Sequence, residues 1–305
     1  MNKIKKVFDN PEKIIYKLQK FKLFNFLKDE TYIKMIYAIA FREKLNIEQP
    51  TTFTEKLQWL KLNDRNPQYT KMVDKCEAKE FVGKIIGSQY IVPTIGVWDN
   101  FNQINFDLFP NSFVLKTTHD SGSVVICKDK KDFDLKKAKK IITKSLKNNY
   151  FYMCREWPYK NVKPRIIAEE YLGDLDTMDI KDYKFFCFDG KPEVLLVCSE
   201  RMTSDNMCKT WFDSDFNMLD IVENNHRRDM NLTKPENYEK MKEIASKLSK
   251  NIPFVRIDLY EVDNRVYFGE ITFFPSGGIE RFSPEEWNYE LGKKIDLKKE
   301  INYGK

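Results

Sequence analysis

The chain has 305 residues, of which 42% are hydrophobic and 32% charged. This composition suits one large or two medium-sized folded domains and excludes an intrinsically disordered protein. The net charge of +6 is spread along the chain without Arg-rich blocks, which argues against a nucleic-acid partner and suits a phosphate-bearing ligand. Six cysteines without a Cys-x-x-Cys pair and only two histidines argue against zinc and for a reducing compartment.

The first predicted element is an amphipathic helix within residues 12–45, where apolar residues recur at helical spacing between lysines. Its apolar face packs on the rest of the protein, or its basic face rests on an anionic membrane surface. The lysines interrupt every apolar run, so neither a signal peptide nor a membrane span is predicted. We therefore expect a cytoplasmic protein, with the inner face of the membrane as the alternative location.

The next elements are helices and short strands. A helix is predicted near 54–62 with Thr54 as its N-cap, and another over 74–86 that ends at Gly87 and buries Ile85. Residues 90–98 predict a strand, and residues 112–129 predict strand, polar loop and strand. A lysine-rich helix over 133–149, with Leu135 on its buried stripe, and a strand over 165–172 follow.

The second half of the chain is dominated by two predicted hairpins. The first spans 183–201 and turns at Asp189-Gly190. A capping box from Thr233 to Glu236 predicts a helix to about residue 250, and Pro284 is expected at the first position of a final helix. Hairpins mixed with single helices, without repeats, predict an α+β fold.

The second hairpin, "RIDLYEVDNRVYFGEITFF" (256–274), carries charges at positions that strand alternation would allow to be apolar. A two-residue turn at Asp263-Asn264 would place Asp258 and Glu270 on opposite faces. A three-residue loop, 263–265, would instead set Asp258 against Glu270 and Arg256 against Thr272. We expect the three-residue loop.

Two directly opposed carboxylates repel each other unless a cation lies between them. Aspartate and glutamate oxygens without histidine or cysteine favour Mg²⁺ or Mn²⁺, which is commonly shared with nucleotide phosphates. The alternative is a solvated polar face. Lys116 ends a strand just before the small-residue loop "TTHDSGS" (117–123), whose amides are suited to cradling phosphate oxygens.

Taken together, five segments of the sequence resemble the ATP-grasp superfamily, and specifically its branch similar to the teichuronopeptide-biosynthesis protein TupA. These segments are "FTEKLQWLKLNDRNPQYTKMVDK" (53–75), "FVLKTTHDSGS" (113–123), "REWPYKNVKPRIIAEEYL" (155–172), "DYKFFCFDGKP" (182–192) and "PFVRIDLYEVDNRVYFGEITFFPSGG" (253–278). The resemblance covers roughly residues 50–298. It implies two α+β subdomains that clamp ATP, with magnesium bridging the phosphates.

The resemblance also implies a division of the chain. Residues 1–52 form a helical N-terminal extension and residues 53–112 the N-terminal part of the grasp. Residues 113–172 form the small lid subdomain, and residues 173–305 form the large subdomain that carries the metal site.

The same resemblance assigns roles to single positions. The metal ligands would be Asp258, Glu270 and Thr272, and the residues that stabilise the transferred phosphoryl group would be Arg256 and Lys116. The nucleotide contacts would be Lys75, Lys116, His119, Ser121, Gly122, Ser123, Glu169, Glu170, Tyr171, Leu172 and Lys184. Lys184, together with Asp182 and Arg201, could reach either the phosphates or an acidic acceptor. His119 is either a general acid or base or a residue that holds the loop by a hydrogen bond.

Three positions or regions depart from the family pattern. Thr272 stands where many ATP-grasp enzymes have asparagine, and a neutral hydroxyl is a weaker metal ligand. Asp120 stands where relatives tend to have glycine, and we expect it to add negative charge near the phosphates. A short helical N-terminus replaces the α/β domain that usually precedes the grasp.

The expected function is that of an ATP-dependent carboxylate–amine ligase acting through an acyl-phosphate in bacterial surface-polysaccharide biosynthesis, as in a capsule, O-antigen or teichuronopeptide. Its expected substrates are ATP, a uronic acid and an amino acid. The alternatives are a kinase on the same ATP platform, a glycosyltransferase-like protein, and a nucleotide-binding module without turnover. Asp258, Glu270 and Lys116 argue against the last of these.

Overall fold

The computed structural model describes Ile15 and residues 24–173, 180–200, 207–223 and 226–297. Half of the basic residues of the predicted helix over 12–45 lie outside these ranges, so the membrane alternative stays a prediction. Arg201 also lies outside them. Within the described ranges, every helix is too short or too polar to cross a lipid bilayer.

The described residues form short helices and antiparallel strands. The helices are α1 (Asp29–Phe41), α2 (Phe53–Asn63), α3 (Gln68–Val73), α4 (Glu77–Ile86), α5 (Leu135–Leu146), α6 (Phe151–Cys154), α7 (Tyr238–Leu248) and α8 (Glu286–Lys293). The strands are β1 (Thr94–Trp98), β2 (Phe113–Thr117), β3 (Val124–Cys127), β4 (Ile166–Glu170), β5 (Asp182–Phe188), β6 (Lys191–Ser199), β7 (Cys208–Asp213), β8 (Val222–Glu223), β9 (Val255–Val262), β10 (Arg265–Thr272) and β11 (Phe282–Ser283). The predicted α+β class is confirmed.

The smaller main sheet has four antiparallel strands in the order β1-β4-β2-β3. Helix α5 packs on it through Ala138 and Ile142, which share a buried cluster with Phe113 and Leu115. The sheet includes β1, so it extends beyond the range 113–172 predicted for the small subdomain. Leu135 is exposed and was wrongly placed on the buried stripe, because α5 begins at this residue.

The larger sheet has five antiparallel strands in the order β10-β9-β5-β6-β7. Helix α7 covers it with Met241, Ile244 and Leu248, which belong to the largest buried cluster of the described residues. The predicted hairpin turn at Asp189-Gly190 is confirmed, and both turn residues have positive φ angles. Such angles match the twist of a tight hairpin.

Helix starts were predicted less accurately than helix positions. Thr52, not Thr54, caps α2 and forms a capping box with Glu55. The predicted capping box at Thr233 is wrong, because α7 begins only at Tyr238. Helix α4 begins at Glu77, and α8 begins at Glu286, two residues after Pro284. Ile85, predicted to be buried in α4, is exposed.

The hairpin of β9 and β10 has a shorter loop than predicted, but Asp258 still pairs with Glu270 as expected. Val262 pairs with Arg265 across a two-residue turn whose residues, Asp263 and Asn264, have φ angles of 51° and 56°. The three-residue loop is therefore wrong. A bulge between Phe268 and Glu270 leaves Gly269 unpaired and restores the pairing of Glu270 with Asp258.

The bulge changes the facing of every later residue of β10, since one extra residue reverses strand parity. Glu270 therefore lies opposite Asp258, and Thr272 lies opposite Arg256. The polar face was predicted correctly, but Gly269 produces it and the turn does not. A Cβ atom at Gly269 would lie 3.0 Å from the backbone oxygen of Asp258 and 2.9 Å from the Tyr260 ring.

We expect the Gly269→Ala variant to lose about 1–3 kcal/mol of unfolding free energy, because the added methyl group meets backbone as well as a side chain. Denaturant unfolding measures the effect. Gly83→Ala in α4 is the matched control, since its new Cβ would meet nothing closer than 3.6 Å, and alanine favours a helix. Equal unfolding midpoints for the two variants would contradict the role of the bulge.

Candidate active site

A cavity of about 390 Å³ lies where the two main sheets meet, lined from β2, β3 and β4 on one side and from β5, β9 and β10 on the other. Its predicted site residues are Lys75, Lys116, Ser121, Gly122, Glu169, Glu170, Tyr171, Leu172, Lys184 and Glu270. Apolar side chains, including Val114, Val124, Ile126 and Phe268, line other parts of its wall. The cavity therefore combines an apolar wall with a set of lysines.

Glu169 is the centre of the lysine cluster. Its carboxylate lies 2.6 Å from the Lys116 ammonium and 2.6 Å from the Lys79 ammonium, and it is buried. Burial pushes the pKa of Glu169 upward, but the two lysine charges outweigh burial and lower the pKa to about 2. Glu169, predicted as a nucleotide contact, thus holds two lysine ammonium groups at the cavity wall.

Lys79 was missed in the sequence analysis. It lines the cavity, pairs with Glu169 and donates to the Val92 backbone oxygen at 2.8 Å and the Thr94 hydroxyl at 2.9 Å. The available signal was its spacing of four residues from Lys75, which is one helical turn. Burial lowers the pKa of Lys79, and Glu169 opposes that shift.

Lys75 joins the helical layer to the 117–123 loop. Its backbone amide donates to the Thr118 oxygen at 3.0 Å, and its ammonium donates to the Asp120 backbone oxygen. The Asp120 carboxylate accepts hydrogen bonds from the hydroxyls of Thr117, Ser123 and Ser145. The Asp120 carboxylate is thus hydrogen-bonded by hydroxyls of the loop and of α5, and the expected effect of its charge on the phosphates stays a prediction.

His119 and Ser123 are not among the residues that line the cavity. The buried His119 ring places Nε2 3.3 Å from the Ser145 oxygen and 3.0 Å from the Asn148 oxygen. Because carbonyl oxygens only accept, Nε2 must carry the proton. Of the two roles predicted for His119, the geometry favours the loop-holding one, and only Ser121 and Gly122 of the loop reach the cavity.

The charged face of β9 and β10 is organised by Arg256. Its guanidinium donates to both oxygens of Asp258 at 2.7 Å, to Glu270 at 3.0 Å and to the Thr272 hydroxyl at 3.1 Å. Lys184 also contacts Asp258 and lies 2.5 Å from Asp182. Burial opposes ionisation of Asp258, but Arg256 and Lys184 prevail and lower its pKa.

The two candidate metal carboxylates, Glu270 and Asp258, differ in how many of their oxygens are available to a hard divalent cation. Glu270 is 39% exposed in its side chain, lines the cavity and uses only Oε1 in its hydrogen bonds within the described residues. Asp258 has both oxygens engaged by Arg256 and Lys184. Two carboxylates and a hydroxyl on one face suit Mg²⁺ or Mn²⁺. Among the described residues, no group of three or more His, Cys, Asp or Glu is arranged to hold a metal.

We expect Glu169→Gln to lower the unfolding free energy at pH 7 by about 3 kcal/mol, the value of a pKa lowered from 4.5 to about 2. A depressed carboxyl pKa stabilises the fold above the unfolded value and loses this effect as pH falls through the folded value. The difference between wild type and variant should therefore shrink between about pH 4.5 and pH 2 in denaturant unfolding. Glu80→Gln, at an exposed pair with Lys84, is the control and should change nothing measurable. A pH-independent difference would contradict the assignment.

The comparisons with known proteins agree with the resemblance. The family model described as TupA-like ATP-grasp matches residues 55–296, well over half of the chain. No curated protein sequence matches the chain significantly.

Similar solved structures include a D-alanine–D-alanine ligase from Helicobacter pylori, at 16% identity and a TM-score of 0.39, over 74% of this chain and 61% of that one. The ATP-grasp ligase PsnB, complexed with a minimal precursor, matches at 8% identity and a TM-score of 0.40 over 68% of this chain and 53% of that one. The D-cycloserine synthetase DcsG matches at 13% identity and a TM-score of 0.40, over 75% of this chain and 72% of that one. The chain thus spans only about three fifths of the ligase from Helicobacter pylori and about half of PsnB. On the family match, which spans both main sheets and the cavity between them, the chain belongs to the TupA-like ATP-grasp family.

Proposed function

We propose that the protein is an ATP-dependent ligase that phosphorylates a carboxylate and joins the resulting acyl-phosphate to an amine. The observation that carries this proposal is the cavity between the two sheets, where lysines from three parts of the chain line the same space as Glu270, which pairs with Asp258 across the hairpin. Family membership supports ATP as the nucleotide. Catalysis by such a site needs aligned phosphates and neutralised charge more than a side-chain base.

In this proposal the cavity wall divides into an adenine part and a phosphate part. Val114, Val124 and Ile126 would face the base, and the backbone of residues 169–172 would read its edge. Lys75, Lys79, Lys116 and Lys184 would meet the phosphates. Each of these residues lines the cavity. Contacts with Glu169, Asp182 and the Asp120 backbone oxygen hold the lysine ammonium groups in position.

Mg²⁺ or Mn²⁺ would be held by Glu270 and Asp258, with the Thr272 hydroxyl beside them. When bound, the metal neutralises phosphate charge and orients the γ-phosphoryl group. Arg256 already bridges Asp258 and Glu270. We infer that its guanidinium stabilises the charge that develops on the acyl-phosphate next to these carboxylates.

The substrate pair rests on the family alone. A uronic acid as carboxylate, an amino acid as amine and a place in bacterial surface-polysaccharide biosynthesis are the combination that the TupA-like branch suggests. The decisive experiment incubates the protein with Mg-ATP and an array of uronic acids and amino acids, and scores phosphate release by pair. A ligase requires both co-substrates before ADP appears, whereas ADP formation with an alcohol alone would indicate a kinase.

We expect Glu270→Gln to abolish turnover of the active pair, since the neutral amide removes a metal ligand. The fold should stay intact, because the Glu270 side chain is 39% exposed and its ion pair with Arg256 contributes little. Turnover at limiting Mg²⁺ and thermal unfolding measure the two effects. Glu261→Gln, on the same hairpin but outside the cavity lining, is the control. Wild-type turnover by Glu270→Gln at limiting Mg²⁺ would remove Glu270 from the metal site.

We expect Lys116→Ala to weaken ATP binding by about 1.5–3 kcal/mol, the range for a lost hydrogen bond to a charged group. Calorimetry with Mg-ATP measures it. Lys84→Ala is the matched control, because this lysine also pairs with a glutamate but lies exposed on α4. Equal affinity for Lys116→Ala and wild type would move the nucleotide away from β2.

A further inference from the structure

Glu156 is a buried carboxylate without a side-chain hydrogen bond or ion pair among the described residues. It follows α6 and retains 4% of its surface exposed. Buried glutamates are rare unless they are paired. A carboxylate of this kind is suited to a cationic ligand.

The two cations whose charges act on Glu156, Lys61 and Arg256, donate their hydrogen bonds to other acceptors. The Lys61 ammonium donates to the Gln58 side chain at 2.8 Å and to the backbone oxygens of Cys154 at 2.9 Å and Gly277 at 2.8 Å. Arg256 donates to Asp258, Glu270 and Thr272. Neither side chain forms an ion pair with Glu156.

Because of this isolation, burial raises the pKa of Glu156 to about 7. Lys61 and Arg256 only partly offset the burial, and Glu270 adds to it. The charges around Glu156 therefore come from α2, β9 and β10, and they leave its proton loosely held near neutral pH.

Two tyrosines connect Glu156 to the nucleotide cavity. The rings of Tyr150 and Tyr159 meet edge to face with centroids 4.9 Å apart, and Tyr159 lines the cavity. The Tyr159 amide donates to the backbone oxygen of Glu156 at 3.1 Å. Burial raises the pKa of both tyrosines, and the charges of Glu156 and Glu270 add to this shift. Glu156 thus lies within one 3₁₀ turn of Tyr159, a residue of the cavity wall.

We propose that Glu156, three residues before Tyr159 of the cavity wall, binds the ammonium group of the acceptor amine and takes its proton. A buried carboxylate complements a cation, and the charged amine would form an ion pair with it. This inference rests on the proposed ligase function, and it restricts the second substrate to an amine that arrives protonated.

The proposed step balances in protons and electrons. The ammonium group gives one proton to the Glu156 carboxylate, and the nitrogen lone pair then forms the bond to the acyl carbon. The bond from that carbon to the phosphate oxygen breaks, and the phosphate leaves with the electron pair. The second nitrogen proton goes to the departing phosphate, so an amide, hydrogen phosphate and protonated Glu156 remain.

Amine binding is tested without turnover by infrared difference spectroscopy of the full chain with Mg-ADP at pH 6.5. The probes are ethanolamine and the common amino acids. An ammonium group at Glu156 should ionise it, so at least one probe should reduce the carboxylic-acid C=O band of wild type. Glu156→Gln should lose this response. Asp64→Asn is the matched control, because Asp64 is another buried carboxyl with a raised pKa but is bonded by Tyr69.

The infrared result alone decides whether an amine binds at Glu156. No probe-dependent band in wild type, or the same band in Glu156→Gln, would overturn the proposal. The wild-type measurement holds even if Glu156→Gln folds poorly, and Tyr159→Phe then serves as a second variant with a weakened response.

Turnover tests proton transfer separately, with the substrate pair found in the array. Glu156→Gln should slow amide formation by about 10²–10³-fold. Hydroxylamine is uncharged at neutral pH and needs no base, so hydroxamate formation by the variant should be retained. An equal loss with both nucleophiles would overturn the role of Glu156 as proton acceptor. If no pair gives ADP, the ligase proposal fails, while the amine-dependent infrared band remains a separate result.

Discussion

The single guanidinium of Arg256 organises the charged face of the large sheet. Asp258, Glu270 and Thr272 lie around it within hydrogen-bonding distance, and without it two carboxylates would oppose each other directly. Breaking such a buried arrangement leaves an uncompensated charge and is strongly destabilising. The face can therefore exist before any metal arrives, and a metal would bind to a surface whose ligands are already fixed.

A second set of contacts joins the small sheet to the helices that precede it. Glu169 on β4 holds Lys116 of β2 and Lys79 of α4, and Lys75 reaches the 117–123 loop. The lysines of the cavity are thus positioned from both sides of the site. Arg155 anchors the N-terminal helix to the same region, with its guanidinium 4.4 Å from the Tyr32 ring and 3.4 Å from Asp29. The segment that carries Glu156 is consequently held by α1.

Sequence reasoning succeeded where periodicity and side-chain chemistry act locally. The Asp189-Gly190 turn and the strand, loop and strand over 112–129 follow from such rules. Sequence reasoning failed at the second hairpin, where a two-residue turn and a bulge stand in place of the predicted three-residue loop. The sequence signals an Asn-containing turn equally well with two or three residues, and only the unpaired Gly269 shows how parity is restored.

Other parts of the site depend on tertiary contacts that spacing does not encode. The contact of Lys79 with Glu169 needs β4 beside α4, and the hydrogen bond from Ser145 to Asp120 needs α5 beside the 117–123 loop. Glu156 belongs to no sequence motif that would mark it as a site residue. Its isolation is a property of the folded chain, in which Lys61 and Arg256 are already committed to other acceptors.

The central claim is that the cavity between the two sheets holds Mg-ATP with its phosphates at the lysines and its metal at Glu270. A crystal structure with Mg²⁺ and a non-hydrolysable ATP analogue tests this most directly. The account predicts phosphate oxygens within hydrogen-bonding distance of Lys116 and Lys184 and a metal bound to Glu270 Oε2. A nucleotide bound outside this cavity, or a metal held without Glu270, would contradict it.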